Sequence, residues 1–155
     1  MNSLDMAPEA TLAAVSDCLF CRLVQGEGEV SIVHQDERTM TFMDIRPVVR
    51  GHMLVVPKQH ATHLADLDPS DGTQVFRAAQ QAAATLRRSP LRCEGVNLFL
   101  ADGAEAGQEV FHVHLHVLPR HRGDGFGLRM PPDYVVRPRP DLDEAAAVLR
   151  ASWAG

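Results

Sequence analysis

Gln108-Glu109-Val110-Phe111-His112-Val113-His114-Leu115-His116-Val117-Leu118-Pro119-Arg120 is the stretch from which the rest of the chain can be read. Its alternation has period two, which predicts a β-strand over residues 110–119 with His112, His114 and His116 on one face. Phe111, Val113, Leu115 and Val117 then form an apolar stripe on the other face, suited to burial. Successive histidines on such a strand stand roughly 6.6 Å apart. One strand histidine is usually a hydrogen-bonded core residue. Three at spacing two, backed by an unbroken apolar face, point to chemistry. A His-x-His pair on a strand is also a metal-ligand pattern, and a polar edge strand is the plainest alternative.

Working outward, Asp102-Gly103-Ala104-Glu105-Ala106-Gly107-Gln108 is a glycine-bearing loop that feeds straight into the histidine strand. Residues 96–100 predict the strand before it, and residues 52–57 a very apolar strand after a turn marked by Pro47 and Gly51. Residues 30–34 and 38–44 read as a hairpin joined through Gln35-Asp36-Glu37. Asp68 caps a helix that opens on Pro69 and carries Val75, Ala79, Ala82 and Leu86 on one face until Pro90. Residues 136–140 form an extended linker to a last helix, with Leu142, Ala146, Leu149 and Trp153 on one face and Trp153 as its anchor. This order predicts an α+β domain over residues 17–155, with a mainly antiparallel five-stranded sheet, behind a loose tail at residues 1–16.

Composition sets the outer limits. A chain of 155 residues with 45% hydrophobic and 23% charged content is ordinary for one globular domain. A net charge of -5 excludes a general nucleic-acid binder. Arg46, Arg50, Lys58, Arg120, Arg122 and Arg129 nevertheless gather around the histidine strand, which suits a small anionic ligand. No stretch approaches the ~20 apolar residues of a membrane helix. Asp5 and Glu9 replace the basic start of a signal peptide, and three cysteines do not pair into a secreted framework. The expected location is the cytoplasm.

The run His112-Val-His114-Leu-His116-Val-Leu after Gly107-Gln108 resembles the histidine triad (HIT) family of nucleotide-binding hydrolases and transferases. A second matching stretch is Phe42-Met43-Asp44-Ile45-Arg46-Pro47 followed by Gly51-His52-Met53-Leu54-Val55-Val56-Pro57-Lys58. The resemblance implies a five-stranded antiparallel sheet with one long central helix, paired into a symmetric homodimer. It also implies binding of a nucleoside phosphate and cleavage at its α-phosphorus. By that resemblance His114 is the nucleophile, with His112, His116 and His52 orienting it and donating hydrogen bonds to the phosphate. Gln108 and the amides of Gly107, Glu109 and Val110 hold the phosphate, Asp44 binds the ribose hydroxyls and Ile45 lines the base pocket. For Ile45 the alternative is simple core packing. A neutral imidazole fits the nucleophile's role, because it attacks well near pH 7 and forms a reactive phosphoramidate.

Two positions depart from the family's pattern. Ala101 stands where relatives usually place Asn or Gln, and Glu109 where Ser or Thr is frequent. A carboxylate at Glu109 repels a phosphate unless it turns away or is protonated, and it favours a cationic leaving amine. His116 at the third triad position, where the transferase branch commonly has Gln, favours hydrolysis.

Cys18-Leu19-Phe20-Cys21 alone is compatible with a zinc knuckle, a redox pair or nothing. The bacterial branch that the chain resembles often combines such a pair with histidines at positions matching His60 and His112. The implied cofactor is a structural zinc on Cys18, Cys21, His60 and His112, with none required for the reaction. Cys93 is expected to be a buried free thiol, and His34, His63 and His121 surface or cap residues. Three other functions stay open: a nucleotide-binding module with little turnover, a nucleotidyltransferase, and a metal-dependent hydrolase using the three histidines directly.

Overall fold

A computed structural model describes residues 17–153 of the chain, and its five strands pair antiparallel throughout. They are β1 (Ile32–Gln35), β2 (Thr39–Met43), β3 (Met53–Pro57), β4 (Gly95–Phe99) and β5 (Leu115–Arg120), in the order β1-β2-β3-β5-β4. A six-residue helix α1 (Leu19–Val24) precedes the sheet, and α2 (Pro69–Arg88) runs between β3 and β4. The expected tail at residues 1–16 lies outside the described residues.

Local chemistry explains the turns. The Asp36 carboxylate accepts from the Arg38 and Thr39 amides at 2.8 and 2.7 Å, which closes the β1–β2 hairpin. Asp68 accepts from the Ser70 amide at 2.8 Å and Pro69 opens α2, the start that the sequence predicts. Gly51 has φ +102°, and a Cβ there would stand 3.2 Å from each of Leu86, Leu91 and Pro119. Only glycine fits that turn without strain, and the turn aims His52 into β3.

Register assigns the two faces of the sheet. Met53 lies opposite Val117, and Val55 opposite Leu115; all four face α2, packing on Val75, Ala78, Ala79, Ala82 and Leu86. Leu54 lies opposite both Phe42 and His116, and this second face carries Met40, Val56, Cys18 just before α1, and the α1 residues Phe20 and Cys21. The histidines therefore lie on the face away from the long helix, with an apolar face behind them.

Three expectations need correction. β5 begins at Leu115, not at residue 110, because the Val113 amide donates to the Ala61 carbonyl at 2.8 Å, in a loop rather than a strand. The apolar stripe holds for Val113, Leu115 and Val117 but not for Phe111, which lies before the strand and is exposed. The 136–140 linker is cut short, since Arg139 and Pro140 already form the first turn of α3 (Arg139–Ser152), where proline is tolerated.

Residues from Gly125 onward form a separate compact unit holding α3. Within α3 no residue is buried, and Leu142, Leu149 and Trp153 are all exposed. No helix among the described residues is long and apolar enough to cross a membrane.

Candidate active site and metal centre

The hydrogen bonds around His114 determine where its proton sits. Its Nδ1 lies 2.7 Å from the carbonyl oxygen of His112, and a carbonyl can only accept. Nδ1 therefore carries the hydrogen and Nε2 keeps its lone pair. The ring is almost fully buried, with Phe20 edge-on at 5.2 Å and the His116 ring at 5.0 Å. One nitrogen is tied down and the other is basic, as an attacking imidazole requires.

The same logic runs along a second chain of groups. The Val48 amide donates to His52 Nδ1 at 3.2 Å, so His52 holds its hydrogen on Nε2. That Nε2 lies 2.8 Å from His116 Nδ1, which must accept, and His116 thereby presents an N–H at Nε2. Asp44 Oδ2 stands 3.6 Å from His52 Nε2 and 3.9 Å from His116 Nδ1, while its Oδ1 accepts from the Arg46 amide at 2.7 Å. Burial, with His114 and His52 close by, pushes the His116 imidazole down to about 4 against the partial pull of Asp44. Burial likewise lowers His52, with Asp44 opposing. Both rings are thus neutral at physiological pH, and His116 is a donor without being a cation.

This predicts a pH dependence of stability. An unfolded His116 takes up its proton near 6.5, whereas the folded one resists until about 4. The contribution is complete above pH 6.5 and is lost as pH falls from there toward 4. In urea unfolding, the stability advantage of wild type over His116→Gln should shrink by about 2 kcal/mol between pH 7.5 and 4.5. An advantage independent of pH would show that His116 is not held neutral by the fold.

His112 faces elsewhere. Its Nε2 donates to the Pro57 carbonyl at 2.8 Å, which leaves Nδ1 with a lone pair. That lone pair points at Cys18 Sγ and Cys21 Sγ, each 3.5 Å away, and at His60 Nδ1, 3.3 Å away. Cys21 Sγ is 3.2 Å from His60 Nδ1, and the four ligand atoms all lie within 4.8 Å of one another. Burial pushes His112 down to about 4, and burial beside Cys18 pushes the Cys21 thiol up to about 12. Two buried sulfurs and two imidazole lone pairs converging without a counter-charge fit a divalent cation. Asp44, His52 and His116 form a separate group, and His114 belongs to neither. The three triad histidines therefore do not converge on one ion, contrary to a hydrolase using all three as ligands.

The loop before the histidines is held by Gln108. Its side-chain amide donates to the carbonyls of Thr62 and Val110 at 2.9 and 3.2 Å and accepts from the Gly103 amide at 2.7 Å. Every polar atom of that buried side chain is thus engaged by backbone, so Gln108 shapes the loop, whose Gly107 and Gln108 amides donate to the Ala104 and Gly103 carbonyls at 2.9 and 3.1 Å. The Glu109 carboxylate turns to Arg46 at 2.7 Å, both largely exposed, which relieves the expected repulsion. Ile45 is 93% exposed, which excludes core packing and leaves it free to contact a ligand. Ala101 is buried. His63 caps the short helical turn Leu64–Asp66, as expected, and Cys93 is only half-buried. Phe20, Val48 and the Pro57 carbonyl went unnoticed as supports in the sequence; a phenylalanine between two ligand cysteines was the one available signal.

The HIT domain model matches residues 25–123. A HIT-like protein of Borreliella burgdorferi is 39% identical over 114 residues, covering 73% of this chain and 82% of that protein. An adenylylsulfatase of Arabidopsis thaliana is 31% identical over 112 residues, covering 70% of this chain and 55% of that protein. The crystal structure of a HIT family protein from Bacillus anthracis superposes with TM-score 0.81 at 32% identity, covering 89% of this chain and 98% of that one. A zinc-bound histidine triad family protein from Mycobacterium smegmatis superposes with TM-score 0.70 at 36% identity, covering 90% and 99%. The five-stranded antiparallel sheet and its helices match these structures.

Proposed function

The chain belongs to the HIT family, and on that premise we propose that it hydrolyses a nucleoside monophosphate derivative at the α-phosphorus through a nucleotidyl-histidine on His114. The observation that carries this reading is the 2.7 Å bond from His114 Nδ1–H to the His112 carbonyl, which leaves Nε2 unprotonated and directed. Nε2 attacks phosphorus as the bond to the leaving group breaks, and the leaving atom, departing as an anion or already protonated by solvent, accepts a hydrogen bond from His116 Nε2–H. The Nδ1–H of His114 becomes part of a cationic phosphorylated imidazole, so its bond to the His112 carbonyl strengthens as charge develops. Water then adds to phosphorus and gives its proton to solvent, the P–N bond breaks, and His114 leaves as the neutral ring. Asp44 and Ile45 flank the ribose and base, and the Glu109 and Val110 amides receive the phosphate, the Gly107 amide being taken by the Ala104 carbonyl at 2.9 Å.

Two leaving groups fit: an amine, as in a phosphoramidate, and a polyphosphate, as in a dinucleoside polyphosphate. The relation to an adenylylsulfatase supports an adenosine 5′-phosphoryl group with an acidic leaving group as a third substrate to try. Cys18, Cys21, His60 and His112 would hold zinc, and the zinc-bound relative supports that. With two thiolates and two imidazoles as its ligands, such an ion would supply structure rather than chemistry. The exposed edge of β4, with Leu98 and Phe99, supports pairing with a second copy.

The test is a rapid-quench reaction with adenosine phosphoramidate, diadenosine tetraphosphate and adenylyl sulfate, each carrying an α-phosphorus label. Protein-bound label that survives alkali and is lost in acid, formed before free AMP, supports the P–N intermediate. AMP release with no such label refutes it, and binding without release leaves a nucleotide-binding module. Light scattering on the same preparation should return twice the 17.0 kDa chain mass; a single chain mass refutes the dimer.

A further inference from the structure

Three remote segments meet at the Cys18–Cys21–His60–His112 cluster, and His114 sits one step outside it. The first segment is α1, only six residues long and without a side-chain cap, too short to hold its place by helix propensity. It carries Phe20 between the two cysteines, and the Phe20 ring stands edge-on to His112 at 5.9 Å and to His114 at 5.2 Å. The second is the segment after β3, which supplies His60, receives His112 Nε2 on the Pro57 carbonyl and receives the Val113 amide on the Ala61 carbonyl. The third is His112 itself, whose ring joins the cluster while its carbonyl holds His114 Nδ1.

We propose that Cys18, Cys21 and His60 are positioning residues for His114, so that a metal-loaded Cys-x-x-Cys centre fixes the His114 ring from two sides, through the His112 main chain and through Phe20. With the cluster joined, the His112 ring cannot turn, and the peptide bearing its carbonyl keeps one orientation. With the cluster open, α1 loses its tie to the sheet and Phe20 withdraws from the His114 ring. A misplacement of about 1 Å at a reacting group costs about 100-fold in rate, so small slack here has a large effect. The proposal rests on the reading of His114 as nucleophile.

The experiment uses full-length protein with isotope-labelled histidine rings, in three states: zinc-loaded, chelator-stripped, and a zinc-loaded Phe20→Leu variant that retains all four ligands. In the loaded protein His114 should give one sharp set of ring signals with the hydrogen on Nδ1. In the stripped protein and in F20L those signals should broaden or split, while the amide signals of β4 and α2, which do not touch α1, stay in place. F20L should bind one zinc per chain and lose about tenfold in kcat with KM unchanged. His114 signals that coincide in all three states would overturn the proposal. A raised KM with unchanged kcat in F20L would also overturn it, by making Phe20 part of the ligand pocket. Should stripping unfold the chain, F20L alone decides. The ring spectra need no substrate, so absence of nucleotidyl transfer would sink the functional reading while the positioning claim is still judged on its own.

Discussion

Replacing His114 by asparagine is expected to lower kcat for nucleoside monophosphate release by about 10⁴-fold or more, with nucleotide affinity changed only severalfold. The choice of asparagine follows from the geometry. Its side-chain amide can still donate to the His112 carbonyl, the bond that His114 Nδ1–H makes at 2.7 Å, so the local fold keeps its tie. What asparagine lacks is the second nitrogen with a lone pair. The variant must then rely on direct attack by water on a phosphorus shielded by its anionic oxygens, with only His116 Nε2–H and the loop amides assisting. No alkali-stable label should accumulate on the variant, and calorimetric titration with AMP should still show binding. A loss below tenfold would remove His114 from the nucleophile's role. Loss of binding together with turnover would instead mean that the substitution had disturbed the pocket.

The side on which each histidine lies was legible in the sequence, but the hydrogen bonds that hold it were not. Period-two alternation correctly separates His116 from Leu115 and Val117, and it keeps His112 and His114 beside Phe20 and His116 even where no strand exists. Alternation reports which way side chains point in an extended chain; it does not say which neighbour takes the backbone hydrogen bonds. The Val113 amide goes to Ala61, more than fifty residues away in sequence, and so the ladder starts late. The three bonds of Gln108 to backbone at residues 62, 103 and 110 show the same limit, since nothing in its spacing foretells them. The long helix α2 was fully readable because its determinants are local: an Asp68 cap, Pro69 and a 3.6-residue stripe. Helix α3 was readable as a helix, but periodicity marks an apolar face without naming what covers it. The metal cluster needed the family resemblance to unite residues 18, 21, 60 and 112, and the geometry then brought all four ligand atoms together.

Stripping the metal, or replacing Cys21 by serine, is expected to produce the second large effect, a fall in melting temperature of about 10 °C or more. One of the two hydrophobic clusters takes Cys18 just before α1, with Phe20 and Cys21 from α1, and packs them on Met40, Phe42, Leu54 and Val56. Those α1 residues are held by burial and by the cluster, not by a cap. Without a cation, a thiol pushed up to about 12 and a histidine pushed down to about 4 remain neutral, buried and loosely bonded at 3.2 to 3.5 Å. Structural zinc centres contribute folding free energy directly, and a loss of about 4 kcal/mol moves the midpoint of a chain this size by about 10 °C. Serine at position 21 keeps the volume near that of cysteine but is a poor zinc ligand, so it should match the chelated wild type rather than add to it. Cys93→Ser is the control, since Cys93 bonds only the Gly95 carbonyl and stands apart from the four ligands. Freshly purified protein with well below one zinc per chain, or a melting temperature indifferent to chelator, would leave the cluster as a set of buried hydrogen bonds and nothing more. A fall confined to Cys21→Ser and chelated wild type would instead show that the second face of the sheet is closed by the metal as much as by its apolar residues.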